Sequence, residues 1–240
     1  MSKKIFVIID GNAIVHRAFH ALPPLLNKEG KLVNAAYGFT TIFLKTLKDL
    51  KPEYIAVTFD MPGKTFRHKE FPAYKAQREK KPQDLYDQIP MIKEILSAFR
   101  VSIFEKEGFE ADDLIGTLSA EALLQSPDVE VRIVTGDLDT LQLISDRVKV
   151  VGLKTGIGET VTYDSAAVQE RYGLSVGQMI DYKALRGDPS DNIPGVKGIG
   201  EKTATELLKR FGTVEALYQV VEGMKEGESM EGVTRRVMGL

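Results

Sequence analysis

The chain has no cysteine in its 240 residues. That excludes structural disulfides and thiolate metal sites, and it fits a reducing, cytoplasmic setting. It also lacks any apolar run long enough for a membrane span or a signal-peptide core. After Met-Ser-Lys-Lys the first such run, Ile5–Ile9, is cut off at Asp10, so no membrane partner is expected. Net charge is nearly absent, at −2, and the total therefore gives no hint of nucleic acid. No internal repeat, P-loop, dinucleotide fingerprint or Ser/His/Asp order is present, and His16, His20 and His68 read as surface or packing residues. What is there is 43% hydrophobic and 28% charged, an ordinary globular composition with enough chain for one large domain or two small ones.

The charge that cancels in the total is unevenly placed. Lys64, Arg67, Lys69, Lys75, Arg78, Lys80 and Lys81 crowd the segment between Met61 and Pro82 against only Glu70 and Glu79. Acidic residues cluster elsewhere, an arrangement that assigns the two signs to different tasks. Apolar, β-branched runs predict buried strands at Ile5–Ile9, Tyr54–Phe59, Val101–Phe104 and Val129–Thr135, and a hairpin over 148–163. Helical periodicity is expected over 13–21, 35–50, 85–99, from 110 onward, and over 164–172, 175–185, 201–211 and 213–222. Residues 61–82, broken by Pro62, Pro72 and Pro82, read as irregular, and the Gly/Met-rich tail from Gly223 shows no core pattern. Strands alternating with helices over 5–150 predict an α/β domain with a mostly parallel sheet.

In such a sheet ligands bind beyond the carboxyl ends of the strands. Asp10, Asp60 and Asp137 stand at that end of three different predicted strands. A strand-end aspartate alone is a common cap or turn former. Glu110-Ala111-Asp112-Asp113 likewise suits the first turn of a helix, where the macrodipole favours acids. Together with Asp139, and with Asp188 and Asp191 in the loop Arg186–Pro194, they form a set of carboxylates with no evident Lys or Arg partners in the sequence. Such a set repels itself unless divalent cations neutralise it. Oxygen-only donors select Mg²⁺ or Mn²⁺, and a two-metal phosphoryl displacement is the chemistry that uses them.

Two further stretches point to nucleic acid. Gly195-Val196-Lys197-Gly198-Ile199-Gly200 precedes the predicted helix 201–211. It reads either as a tight interhelical turn or as a glycine hairpin offering backbone N–H groups to phosphate. Between two helices the pattern matches the helix-hairpin-helix, which grips a duplex backbone without reading sequence. Phe71-Pro72-Ala73-Tyr74-Lys75-Ala76-Gln77-Arg78 interleaves aromatics with cations, as in single-strand handling, although a solvated charged loop has the same composition.

The motifs Ile9-Asp10-Gly11, Phe59-Asp60, Tyr74–Arg78, Glu110–Asp113, Thr135–Asp139 and Gly187–Gly195 occur in this order. Together they resemble the 5′-nuclease (5′→3′ exonuclease) domain of bacterial DNA polymerase I, within the flap-endonuclease family, over about residues 4–220. The resemblance implies a PIN-like α/β core over 1–165, an arch at about 61–99, and a helical helix-hairpin-helix subdomain over 166–240. It implies a nuclease that cuts 5′ flaps and removes nucleotides 5′→3′, RNA primers included, during replication and repair. Carried over by position, Asp10, Asp60, Glu110 and Asp112 would hold one Mg²⁺ or Mn²⁺ and Asp137, Asp139 and Asp191 a second, with Asp113 and Asp188 in outer or shared roles. Lys75, Arg78 and Arg17 would meet the scissile phosphate, and Tyr74 would position the 5′ strand. Gly195, Val196, Lys197, Gly198, Ile199, Gly200 and Lys202 would bind the downstream duplex, with a K⁺ ion on the hairpin carbonyls. His16 stands where many relatives carry a base-stacking aromatic and receives no such role. Branched DNA is the implied partner, with a polymerase domain in the same or a separate chain, and a monomer at the bacterial nucleoid is expected. The family's last helices are expected beyond Leu240, which accords with a fragment, an excised domain or a stand-alone nuclease. Single-strand RNA nucleases of the PIN type share the acidic core but usually lack the basic arch and glycine hairpin. A module that only holds branched DNA would tolerate loss of the acids, all of which are present.

Overall fold

The computed structural model describes residues 3–78, 81–154 and 156–223. Glu79 and Lys80 of the basic segment, and the tail from 224, lie outside them. The chain divides into two compact units, Met1–Lys69 with Glu79–Asp164 and Glu70–Arg78 with Ser165–Leu240.

In the first unit the apolar, β-branched runs become strands. These are β1 (Lys4–Asp10), β2 (Tyr54–Thr58), β3 (Ser102–Phe104), β4 (Val129–Thr135) and β5 (Val148–Leu153), with β6 (Thr160–Tyr163) after them. Among the described residues they form one sheet in the order β3-β2-β1-β4-β5-β6, parallel throughout except for β6, which runs antiparallel to β5. Val7, Ile8, Val131, Ile133 and Val150 are fully buried. The chain steps outward from β1 through β2 to β3, then returns to lay β4 on the other side of β1. Between β1 and β4 the order reverses, and there a crevice opens beyond the carboxyl ends of the strands.

The helices of this unit are α1 (Gly11–Ala21), α2 (Asn34–Leu50), α3 (Phe66–Glu70), α4 (Gln83–Tyr86), α5 (Ile89–Ala98) and α6 (Ala111–Gln125). Gly11 opens α1 because nothing larger fits: a Cβ there would lie 2.6 Å from the Thr58 carbonyl and 2.5 Å from the Phe59 ring. The segment expected to be irregular contains the single turn α3, followed by turns over 72–77. The helix expected over 85–99 is broken in two. Pro90 has no N–H to give the Tyr86 carbonyl and its ring crowds that carbonyl, so the chain leaves helical bonding at Asp87–Gln88.

The break has a use. Gln88, 1% exposed, turns its side chain to the start of α2, which has no cap of its own. Its Oε1 accepts from Ala35 N (2.8 Å) and Ala36 N (3.1 Å), while Nε2 donates to Asn34 Oδ1 and the Asp84 carbonyl. A helix end that would otherwise be buried unsatisfied is thereby served from a distant segment.

The second unit contains α7 (Ser165–Tyr172), α8 (Met179–Arg186), α9 (Glu201–Phe211) and α10 (Val214–Glu222). The helix expected over 175–185 begins as a 3₁₀ turn, Val176–Gln178. Gln178 Nε2 donates to the Leu208 and Gly212 carbonyls at the end of α9. Tyr182 and Leu185 of α8 and Ala204, Leu207 and Leu208 of α9 are buried.

Replacing Gln88 with Leu removes the acceptor for two buried N–H groups without removing volume. The first unit should lose about 3 kcal/mol, read as a lower urea midpoint at unchanged slope. An unchanged midpoint would show that the cap carries no stability.

Candidate active site

Asp10 is the last residue of β1 and the N-cap of α1, and it is 4% exposed. Its Oδ1 accepts from Ala13 N (2.9 Å) and its Oδ2 from Thr135 Oγ1 (2.7 Å). Burial pushes its carboxyl up to about 6; the Ala13 and Thr135 bonds pull the other way, and the Asp137 and Asp60 charges add to the rise. Asp112, in the first turn of α6, is pushed further, to about 8, by burial first and then by Asp10, Asp137, Asp60 and Asp139. Side chains from the ends of β1, β2 and β4 and from the start of α6 thus share one electrostatic field. Asp60 is held from two elements: Oδ2 accepts from Asn12 Nδ2 (2.9 Å) and Oδ1 from Ala111 N (2.6 Å). Asp137 caps the 3₁₀ helix Leu138–Leu143 by accepting from Asp139 N (2.9 Å). The donor set is carboxylate oxygen, the chemistry that hard divalent cations prefer.

The other acids of the α6 start behave differently. Asp113 Oδ2 accepts from Glu110 N (2.9 Å), and its carboxylate takes a two-pronged bond from Arg67, both at 2.8 Å. Arg67 also lies 3.9 Å from Glu110 Oε2. Sequence reasoning placed Arg67 only in a basic run and did not identify this fork; its position far from the 110–113 motif gave no signal.

In the second unit Gly187–Gly195 folds into a tight hairpin. Asp188 and Ile193 exchange both backbone bonds (2.8 and 2.9 Å), and Asn192 turns the chain at φ 61°. Gly187 and Gly195 lie so close that a Cβ on either would strike the backbone of the other. Around Asp188, burial works upward, but the Lys183 ammonium at 2.6 Å and Ser190 outweigh it and hold the carboxyl at about 2.

Asp191 is the anchor for the segment 73–78. Its Oδ1 accepts from Arg78 (2.5 Å), its Oδ2 from the Tyr74 hydroxyl (3.0 Å), and its carbonyl from Lys75 N (3.0 Å). Lys75 Nζ stands 3.9 Å from Oδ2. Asn192 Nδ2 donates to the Ala73 carbonyl (2.7 Å), Arg78 Nε to that of Ser190 (3.2 Å), and Gln77 Nε2 to that of Pro189. Lys75 takes the left-handed conformation at φ 54°, a strained setting for a side-chain-bearing residue. The segment that carries Lys75 and Arg78 is a series of turns, and both meet one carboxylate. Tyr74, 7% exposed, holds Asp191 rather than presenting an open ring.

Between α8 and α9, Gly195 and Gly198 adopt φ of 62° and 84°. Ile199 packs inward at 6% exposure, whereas Lys197, Gly198, Gly200 and Lys202 are exposed. No side chain caps α9, so its first-turn N–H groups belong to an open loop of glycines.

Comparison with known proteins places these features. Residues 5–173 match the model of the 5′-3′ exonuclease N-terminal, resolvase-like domain, and residues 174–237 match that of the 5′-3′ exonuclease C-terminal SAM fold. The chain belongs to the 5′-3′ exonuclease family. DNA polymerase I of Bacillus caldotenax is 45% identical over 234 residues, 98% of this chain and 26% of that protein. The Caldicellulosiruptor bescii enzyme is 47% identical over 221 residues, 91% of this chain and 26% of that protein. The chain thus spans about a quarter of the length of these curated relatives. Its fold is similar to that of T5 5′-exonuclease described with bound zinc ions, at a TM-score of 0.75 and 24% identity over 98% of this chain and 83% of that one.

Asp10, Asp60, Asp112, Asp137 and Asp139 are brought together in the first unit. Among the described residues the expectation that the acids lack cationic partners is corrected at four of them, since Arg67 pairs with Asp113 and reaches Glu110, Lys183 pairs with Asp188 and Arg78 with Asp191. Arg17 lies half-buried on α1. Among the described residues no helix is long and apolar enough to cross a membrane.

The raised carboxyls set a pH dependence. Folded Asp10 and Asp112 hold protons up to about 6 and about 8, whereas unfolded ones release them near about 4. Their stability contribution is complete below about pH 4 and is lost as pH rises through those values. Asp188, depressed to about 2, acts the other way and only below about pH 4. In EDTA the melting temperature should therefore fall between about pH 5 and pH 8, and Mg²⁺ should flatten the fall. A metal-free melting temperature that climbs across that window would contradict the crowding of Asp10 and Asp112.

Proposed function

We propose that the chain is a structure-specific 5′ nuclease. It cleaves 5′ flaps and removes nucleotides 5′→3′ from branched DNA, RNA primers included, in replication and repair. The observation that carries this is the carboxylate crowd around buried Asp10 and half-buried Asp112, whose raised carboxyls favour cations among them. Membership of the 5′-3′ exonuclease family and the fold shared with a zinc-bound phage exonuclease support it.

Asp10, Asp60, Glu110 and Asp112 hold one Mg²⁺ or Mn²⁺ in this reading. Asp137 and Asp139 hold a second, to which the family pattern adds Asp191, with Asp188 in an outer role. When bound, the ions activate water and stabilise the leaving oxygen of an in-line phosphodiester displacement. The chain's own residues orient the reaction. The α1 and α6 N-termini fix Asp10 and Asp60 through Ala13 N and Ala111 N. Lys75, Arg78 and Arg17 meet the scissile phosphate, for which the Asp191 carboxylate is the present counter-charge of the first two. Arg67 keeps Asp113 as a structural partner of the α6 start.

The loop Gly195–Gly200, with Lys197 and Lys202 exposed beside it, takes the duplex backbone through glycine N–H groups, and its carbonyls take K⁺. Tyr74 acts on the 5′ strand through the segment it anchors. A polymerase domain, in the same polypeptide or as a separate chain, is the partner that fills the gap this nuclease opens, and the protein works as a monomer in the bacterial cytoplasm at the nucleoid.

The test is a 5′-labelled flap duplex incubated with the chain in Mg²⁺ or EDTA, beside a matched single-stranded RNA. Cleavage near the junction that needs metal and spares RNA is expected. Asp137→Ala should lower the rate about 100-fold or more, the scale of a few kcal/mol of transition-state stabilisation. Metal-independent cleavage, or preferential cutting of the RNA, would overturn the reading.

A further inference from the structure

We infer that Thr135 is a positioning residue whose hydroxyl aligns the acids of β1 and β4 for divalent-cation binding; the inference rests on the nuclease reading above. Thr135 is the last residue of β4 and is fully buried. A hydroxyl has one proton to give and lone pairs to receive with. The Asp137 N–H, 2.9 Å from Oγ1, can only donate, so Oγ1 is an acceptor on that side. Its proton then goes to Asp10 Oδ2 at 2.7 Å. The direction of the bond is settled by the chemistry of its two neighbours.

Each oxygen of Asp10 is consequently held by one donor, Oδ1 by Ala13 N and Oδ2 by Thr135. The carboxylate plane is fixed from two sides while lone pairs on both oxygens remain for a cation. The same hydroxyl fixes the backbone that carries Asp137, whose Oδ1 accepts from Asp139 N (2.9 Å). Asp10, Asp137 and Asp139 are therefore registered to one another through a single buried oxygen at the point where the strand order reverses. Thr58 provides the contrast. It is equally buried, at the end of β2, yet its hydroxyl is directed at the Ile9 carbonyl, 3.5 Å away.

The test is Mn²⁺ binding to the purified chain, followed by spin resonance of the free ion, so that no turnover is needed. Thr135→Ser keeps the hydroxyl and should bind Mn²⁺ within about threefold of wild type. Thr135→Ala differs from the serine variant only by that oxygen and should bind about 10–100-fold more weakly, the usual effect of losing a group that orients a metal ligand. Thr58→Ala should lower the melting temperature but leave Mn²⁺ affinity unchanged. If Thr135→Ala fails to fold, Thr135→Val, which keeps the volume, takes its place with the same expectation. Wild-type affinity in the alanine variant, equal losses in the serine and alanine variants, or an equal loss in Thr58→Ala would overturn the inference. A wild-type chain that binds no Mn²⁺ would overturn the nuclease reading, and this inference with it.

Discussion

Carboxylates at the carboxyl ends of β1 and β4 repel one another, and the burial of Asp10 sharpens the repulsion by removing water that would screen it. Asp112 feels four other aspartates, and Asp10 adds near-complete burial to its share. A hydrophobic sheet cannot absorb that penalty, so backbone and side-chain donors offset part of it. The first turns of α1 and α6 present N–H groups to Asp10 and Asp60, where the positive end of a helix favours negative charge. Asn12 and Thr135 add one donor each. These donors lower the charge penalty without ending it, and in the reading proposed above a divalent cation neutralises the remainder.

Several of the chain's own cations are committed to acids outside this crowd. Arg67 forks onto Asp113 in the first unit, and in the second Lys183 serves Asp188 while Arg78 and Lys75 gather on Asp191. A guanidinium among Asp10, Asp112 and Asp137 would neutralise them as well as a metal and would leave nothing to bind one. Asp113 shows the alternative outcome: adjacent in sequence to Asp112, it is a satisfied capping residue because it has its arginine. The helix-start reading of the 110–113 motif describes Asp113, whereas Asp112 faces the other aspartates.

That division explains what sequence alone could convey. The strand ends were legible because buried parallel strands are continuous β-branched runs, and an aspartate closing such a run must sit where the sheet meets its crevice. β4 and α9 have the bounds read from the sequence pattern alone. Pairings between distant segments were not legible. Gln88 reads as an ordinary polar residue inside a helical period, and only the Pro90 break reveals it as the cap of α2. Tyr74 reads as a stacking aromatic until its hydroxyl is found on Asp191. In each case local pattern identified the chemical group, and tertiary contact chose its partner.

The anchoring of 73–78 on Asp191 bears on how the second unit works. The Asp191 carboxylate has two oxygens, and both already accept from the segment, one from Arg78 and one from Tyr74. A cation that draws on this carboxylate competes with Arg78 and Lys75 for the same lone pairs. So does a phosphate, from the other side, since it offers those side chains a stronger and more exposed anion. In the reading proposed above, metal and nucleic acid would act on one contact in the same direction, each loosening what the other must also displace. The strained φ of Lys75 is tolerable while its N–H rests on the Asp191 carbonyl, and it favours departure once the side-chain bonds are given up. A hairpin as tight as Gly187–Gly195, where no side chain fits at either end, keeps Asp191 in place whichever partner it holds.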